Sequence, residues 1–143
     1  MRRVLAFALV ALGAALLPAF ASAGTIRDFQ TPSKNIACAF VPADIAGGAA
    51  FLRCEIRSGL KPVPPRPRAC SADWGQAVSM TRTSRGRAIC ISDTIRNPQA
   101  SVLRYGKTFK AGPFTCRSRT DGLRCTNVAG HGWFLSKEST SLF

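Results

Sequence analysis

The hydrophobic positions of this chain form one long apolar run near the start and only short runs afterwards. The long run, residues 4–17, follows Arg2 and Arg3 and precedes the small residues 21–23, as in a cleavable export signal. At 1.5 Å per residue it spans about 21 Å, which is less than the roughly 30 Å of a bilayer's hydrocarbon core. We therefore predict a signal peptide over residues 1–23 and no transmembrane segment in the mature chain.

The first short runs after the signal predict a β-hairpin. Residues 35–41 and 50–56 are rich in β-favouring side chains, and the segment between them supplies turn-forming proline and glycine. We expect Cys38 to lie opposite Cys54, with the pairs Val41–Phe51 and Ile36–Ile56 on the face away from the cysteines. Directly opposed strand residues are close enough for a disulfide.

The middle of the chain predicts a connector followed by two strands. Four prolines within residues 61–67 remove backbone donors, which excludes a central strand and favours an extended crossover. Residues 69–75 are expected to form a tight turn around a core tryptophan, Trp74. Strands are predicted at 77–80 and, buried, at 87–91.

A second hairpin is predicted at residues 114–118 and 123–127, around the turn-forming pair Asp121-Gly122. A two-residue turn at that pair would leave the two cysteines of the hairpin offset. A four-residue loop over 119–122, with Gly122 in a left-handed conformation, sets Cys116 opposite Cys125. A last strand is expected within 130–136, with Trp133 and Leu135 on one face.

Short strands separated by turns indicate an all-β fold. No segment after residue 23 sustains helical spacing of apolar positions over three turns. We therefore predict, over residues 24–143, a single small disulfide-stapled β-sandwich or barrel-like domain built from hairpins.

The six cysteines predict disulfides rather than a metal site. There is no C-x-x-C pair, and His131 is the only histidine, so we expect no metal and no cofactor. Six cysteines allow 15 pairings, among which the hairpin registers favour Cys38–Cys54 and Cys116–Cys125, leaving Cys70–Cys90. Disulfides form in oxidising compartments, so the protein is expected to be exported, to the periplasm or the extracellular space.

Residues 24–143 carry 18 basic against 7 acidic side chains, a net charge of +11. Such a charge favours anionic partners: lipid, polysaccharide or an acidic protein. The hairpin register places Arg117, Arg119 and Arg124 on one face, which we predict to be an anion-binding site; the alternative is a solvated face of splayed arginines. Sequence-specific nucleic-acid recognition is not expected, because aromatic side chains for stacking are scarce and both tryptophans look buried.

An enzymatic function is the alternative to a binding module. A small hydrolase could use His131 as a general base with a nearby carboxylate, for which Asp73 and Asp93 are the best candidates. The sequence contains no nucleophile elbow and no recognisable carboxylate pair, so no catalytic residue is assigned. A structural role for His131 in the Gly130-His131-Gly132 corner, with its ring bonded to backbone, is favoured.

Several short motifs, placed in a characteristic order relative to the cysteines, carry a resemblance to a known family. They are Phe29-Gln30-Thr31-Pro32-Ser33, Asn35-Ile36-Ala37-Cys38, Arg53-Cys54-Glu55-Ile56, Asp73-Trp74-Gly75, Cys90 with Asp93-Thr94, Tyr105-Gly106, Gly112-Pro113-Phe114-Thr115-Cys116, Cys125-Thr126-Asn127 and Gly130-His131-Gly132. Over roughly residues 29–138 the chain resembles an uncharacterised family of small secreted bacterial proteins, a domain of unknown function. The resemblance implies a secreted, disulfide-bonded domain and brings no catalytic or binding residue. The chain is richer in arginine than that family's pattern, so anion binding is not carried over as a family role.

Overall fold

A computed structural model describes residues 24–143 as an all-β protein with two sheets. The predicted signal peptide and its cleavage site, residues 1–23, lie outside the described residues. The first sheet contains β1 (Arg27–Gln30), β2 (Ile36–Val41), β3 (Phe51–Ile56), β4 (Ala77–Thr81), β5 (Arg87–Ala88) and β6 (Ser101–Val102), in the spatial order β5-β4-β3-β2-β1-β6. A single helical turn, α1 (Ala43–Ala46), connects β2 to β3.

The second sheet is an antiparallel meander, because each of its strands pairs with its neighbour in the chain. It contains β7 (Thr108–Ala111), β8 (Phe114–Arg119), β9 (Gly122–Asn127), β10 (Gly132–Leu135) and β11 (Thr140–Leu142), in the order β11-β10-β9-β8-β7. Apolar side chains from both sheets form one core cluster. Phe29, Leu52 and Met80 come from the first sheet, and Phe114 and Trp133 from the second.

The predicted register of the first hairpin is confirmed, but its faces were assigned wrongly. Cys38 pairs with Cys54, Val41 with Phe51 and Ile36 with Ile56. Side chains alternate along a strand, so Ile36 shares a face with Cys38, two residues away. Both are buried in the same core cluster, and the expected separation of this pair from the cysteines is wrong.

The register of the second hairpin is also confirmed, with Cys116 opposite Cys125. The loop is shorter than predicted, since Arg119 pairs with Gly122 and only Thr120 and Asp121 form the turn. A two-residue turn one position earlier than Asp121-Gly122 gives the same register as a four-residue loop. Gly122 has a φ of 154° and lies in β9, so it does not provide the left-handed loop end that was expected.

Two predictions for the middle of the chain are wrong in extent. The expected buried strand over 87–91 is only the two-residue edge strand β5, and Ile91 instead forms a single bridge with Asp73. Trp74 is half-buried rather than in the core, and its indole N–H donates to the Pro64 carbonyl at 2.8 Å. The tryptophan is thus bonded to the proline-rich connector instead of lying in the core cluster.

All three predicted disulfides are present: Cys38–Cys54, Cys70–Cys90 and Cys116–Cys125. The expected strand at 77–80 is β4, and the strand within 130–136 is β10, with Trp133 and Leu135 both buried. Sequence patterns missed β1, β6, β7 and β11, which are two to four residues long.

Candidate functional site

The three arginines predicted from the sequence lie together on the second sheet. Arg117 of β8 is directly opposite Arg124 of β9, and Arg119 lies two residues further along β8, so alternation places all three on one side of the sheet. All three side chains are exposed. We call Arg117, Arg119 and Arg124 the arginine face; its role in anion binding stays a prediction.

The environment of the arginine face is cationic. None of the strands β7 to β11 contains an aspartate or a glutamate. Arg119 has a weak partner in Asp121 of the turn, with Nε 3.4 Å from Oδ1 and both side chains more than 60% exposed (63% and 61%). The guanidinium of Arg124 lies 4.4 Å from the ring centroid of Phe143, a cation–π contact that leaves its charge uncompensated.

The corner that contains His131 is held by Asn127 rather than by the histidine ring. The side-chain carbonyl of Asn127 accepts from the backbone N–H groups of Ala129 and His131 at 3.0 and 3.1 Å. Its amide donates to the carbonyls of Thr81 and Ser84, at 2.9 and 2.8 Å, and so ties the corner to the first sheet. Within residues 24–143 the His131 ring makes no hydrogen bond or ion pair, which contradicts the expected bond from ring to backbone.

The two carboxylates considered for catalysis are placed elsewhere. Asp93 accepts a hydrogen bond from Arg53 at 3.0 Å, and the backbone of Asp73 forms the bridge with Ile91. In the described part of the chain neither carboxylate forms a hydrogen bond or an ion pair with His131. The hydrolase alternative, in which His131 acts with a nearby carboxylate, stays a prediction, as does the expectation that the protein is not an enzyme.

A buried ionic network lies on the side of the first sheet that faces away from the core. Glu55, only 4% exposed, binds Arg53 at 2.6 Å and accepts from the hydroxyl of Thr94 at 2.7 Å and the backbone N–H of Ile95 at 2.9 Å. Buried charges are tolerated when they are paired and hydrogen-bonded in this way. The network fixes the segment around residues 93–96 against β3.

Arg96 extends from that segment and is held mainly by backbone carbonyls. Its NH2 group donates to the carbonyls of Asn35 and Glu55, at 2.9 and 3.0 Å, and its Nε lies 3.8 Å from the Glu55 carboxylate. Burial lowers the pKa of the Arg96 guanidinium, and the nearby Arg57 lowers it further, while Glu55 opposes both effects. Arg57 and Arg96 also line one and the same cleft.

Two clefts meet at Arg57. The larger, of about 430 Å³, is lined by the tip of the β8–β9 hairpin, residues 136–138, the segment after β1, and Tyr105. The smaller, of about 140 Å³, is lined by Gln30, Lys34, Ala37, Arg57, Arg96, Asn97 and Pro98. His131 lines neither of these two clefts. The sequence did not indicate Lys34, Arg57 and Arg96 as a group, because they are isolated cations in three different segments that only the fold brings together.

Three buried sulfur atoms, those of Cys38, Cys54 and Cys125, lie within 4.8 Å of one another. All three belong to disulfides, and a disulfide sulfur lacks the thiolate charge that binds zinc. The cluster is therefore a contact between two disulfides of the core. That the purified protein holds no metal stays a prediction.

The comparisons with known proteins add no activity. Three disulfides fit an oxidising compartment, and residues 24–143 contain no helix that is long and apolar enough to cross a membrane. No curated protein and no solved structure matches the chain. A family model described as a family of unknown function (DUF6636) matches residues 8–143. Since this match covers nearly the whole chain, the protein belongs to that family.

Proposed function

We propose that this protein is an exported, non-enzymatic binding module whose arginine face binds anionic partners of the cell envelope. The observation that supports this most is the direct opposition of Arg117 and Arg124 across two paired strands. Like charges placed opposite each other destabilise a sheet, so a bound anion would relieve a repulsion that the free protein has to tolerate.

The charge of the rest of the molecule supports the same proposal. Across residues 24–143, only Arg53, Arg96 and Arg119 lie within ion-pairing distance of a carboxylate, although this part of the chain has 18 basic side chains. The uncompensated excess creates a positive field that attracts polyanions. Because Arg117 and Arg124 stand on an exposed sheet surface and line neither cleft, they suit an extended anionic surface, such as a lipid bilayer or a polysaccharide.

The test is a variant in which Arg117, Arg119 and Arg124 are all replaced by glutamine. We expect it to lose most of the parent's retention on anionic liposomes or on acidic envelope polysaccharide at low salt. Retention of the parent should itself fall between low and physiological ionic strength, where charges are screened over about 8 Å. Liposomes and polysaccharide are assayed separately, so that the two sources of anionic groups are distinguished.

A matched control removes the same charge from elsewhere: Lys61, Arg68 and Arg82, all replaced by glutamine. These side chains are exposed and form no hydrogen bond or ion pair in the described part of the chain. If the control loses as much retention as the arginine-face variant, the net charge acts diffusely and the proposed site is wrong. Circular dichroism of both variants checks that the fold is intact.

A further inference from the structure

The smaller cleft beside Arg57 gathers three cations around one small space. Lys34 lies between β1 and β2, Arg57 directly follows β3, and Arg96 lies on the segment fixed by Glu55. The cleft has a volume of about 140 Å³, and no aspartate or glutamate lines it. The smaller cleft shares no residue with the arginine face, whereas Arg119 lines the adjoining larger cleft. Binding of inorganic phosphate, which needs only the smaller cleft, therefore tests this site separately from the proposed function.

The walls of this cleft are held in place without a ligand. The Arg96 guanidinium is oriented by the carbonyls of Asn35 and Glu55, and the Gln30 amide donates to the Ala100 carbonyl at 2.9 Å. The side-chain amide of Asn97 donates to the Asp28 carboxylate at 2.8 Å, so Asn97 is also held by a hydrogen bond. Such prior ordering reduces the entropy lost when a ligand binds.

Two of the three cations keep their donors available. Within residues 24–143 the side chains of Arg57 and Lys34 make no hydrogen bond and no ion pair, and both are exposed at the cleft. Arg57 is close enough to Arg96 for their repulsion to lower the pKa of Arg96, as does the burial of Arg96. An anion between them would replace this repulsion with charge-assisted hydrogen bonds.

We propose that this cleft binds a phosphate monoester group. Three cations match the charge of a phosphate dianion better than that of a carboxylate, and the arginine fork is suited to bidentate contact with phosphate oxygens. The larger cleft begins at the same Arg57 and contains Tyr105, which is 46% exposed, so the group that carries the phosphate has room beside an aromatic side chain.

The experiment is calorimetric titration of the full protein with inorganic phosphate and with glucose 6-phosphate, at about 150 mM sodium chloride so that diffuse attraction is screened. The variants are Arg57→Gln alone and the pair Lys34→Asn with Arg57→Gln. Asparagine is chosen at position 34 because Lys34 has a φ of 56°, a left-handed conformation that asparagine tolerates. We expect saturable binding with one site in the parent, and a loss of affinity of about tenfold or more in the double variant.

The matched control replaces Arg117 and Arg124 by glutamine and so removes the same two charges from the arginine face. It should keep the parent's affinity within about twofold, since neither residue lines the cleft and salt weakens the attraction of exposed charges. Equal losses in both double variants, no saturable binding by the parent, or displacement of phosphate by an equal concentration of acetate would each overturn the proposal. A folded Arg57→Gln variant that binds like the parent would overturn it as well.

A second experiment, with lipid vesicles, distinguishes a lipid headgroup from a soluble phosphate compound as the ligand. Phosphatidylcholine vesicles that contain phosphatidic acid present a phosphate monoester, whereas those with phosphatidylglycerol present a diester. A preference for phosphatidic acid that the Arg57→Gln variant loses assigns the cleft to a lipid headgroup. Binding of glucose 6-phosphate without that preference assigns it to a soluble phosphate; equal binding to both vesicles, with no soluble binding, contradicts the proposal.

Discussion

Gly86 and Gly132 both donate their backbone N–H groups to the backbone oxygen of Phe143, at 3.2 and 2.7 Å. Gly86 immediately precedes β5 of the first sheet, and Gly132 begins β10 of the second, so this shared acceptor joins the two sheets. A Cβ atom built on Gly86 would collide with the carbonyl of Gly132 and lie 3.1 Å from the Trp133 ring. The absence of a side chain at position 86 therefore allows the sheets to approach.

Replacing Gly86 by alanine should lower the free energy of unfolding by about 2 kcal/mol, as overpacking at a close backbone contact does. The collision is with backbone, which cannot rotate away. Urea unfolding followed by tryptophan fluorescence measures the change, since Trp133 lies at the contact.

Gly48→Ala is the matched control, because no atom lies within 4 Å of the position its Cβ would take and its φ is not in the left-handed region. We expect a change within about 1 kcal/mol, with the reduced entropy of the unfolded chain favouring stabilisation. If the two alanine variants have equal stability, the close approach at Gly86 has no energetic importance.

Of two of the disulfides, the one that closes the shorter loop should contribute more to the free energy of unfolding. Cys116–Cys125 closes a separation of 9 residues and Cys70–Cys90 one of 20, so chain entropy assigns them about 2.6 and about 3.3 kcal/mol. Both Cys116 and Cys125 are fully buried, whereas Cys90 is exposed. Replacing Cys116 and Cys125 by alanines also leaves a void against the other core disulfide. We therefore expect this double variant to lose at least about 1 kcal/mol more stability than the double variant without Cys70–Cys90.

Urea unfolding of the two double-alanine variants, Cys116 with Cys125 and Cys70 with Cys90, measures this order. Non-reducing peptide mapping of each variant confirms that the remaining disulfides are unchanged. A larger loss in the variant without Cys70–Cys90 would show that loop closure outweighs core packing in this protein.

Replacing Glu55 by glutamine should destabilise the protein by about 3 kcal/mol, because it leaves Arg53 and Arg96 with less compensation of their buried charge. The size of the side chain is preserved, so the change measures the ionic network rather than packing. Thermal or urea unfolding gives the difference from the parent.

Asp121→Asn provides the comparison, since it removes a carboxylate from an exposed ion pair with Arg119. Exposed pairs contribute little, and we expect a loss below about 1 kcal/mol. Equal effects at positions 55 and 121 would mean that Glu55 is not part of a network that stabilises the fold.

Local sequence patterns predicted the elements that are long enough to carry a period. The two hairpins, their registers and the disulfides Cys38–Cys54 and Cys116–Cys125 follow from alternation and from the requirement that bonded cysteines face each other, which are local properties, and Cys70–Cys90 follows by elimination. Shorter elements were predicted less well. β6 has two residues and is parallel to β1, from which it is separated by about 70 residues of chain, so no local pattern could indicate it. The turn of the second hairpin was misplaced because two loop lengths give one register.

The arginine face could be predicted for the same reason, since Arg117 and Arg124 are cross-strand neighbours within one hairpin. The three cations of the smaller cleft could not be predicted as a group. Lys34, Arg57 and Arg96 meet only because Glu55, buried on the outer side of β3, fixes the segment of Arg96 against the sheet next to Arg57. A lone charged residue in a sequence carries no information about its neighbours in space, because its position is set by packing between segments far apart in the chain. The sequence by itself therefore determined the hairpins, their cross-links and the positive charge, while the tertiary structure decided where that charge converges.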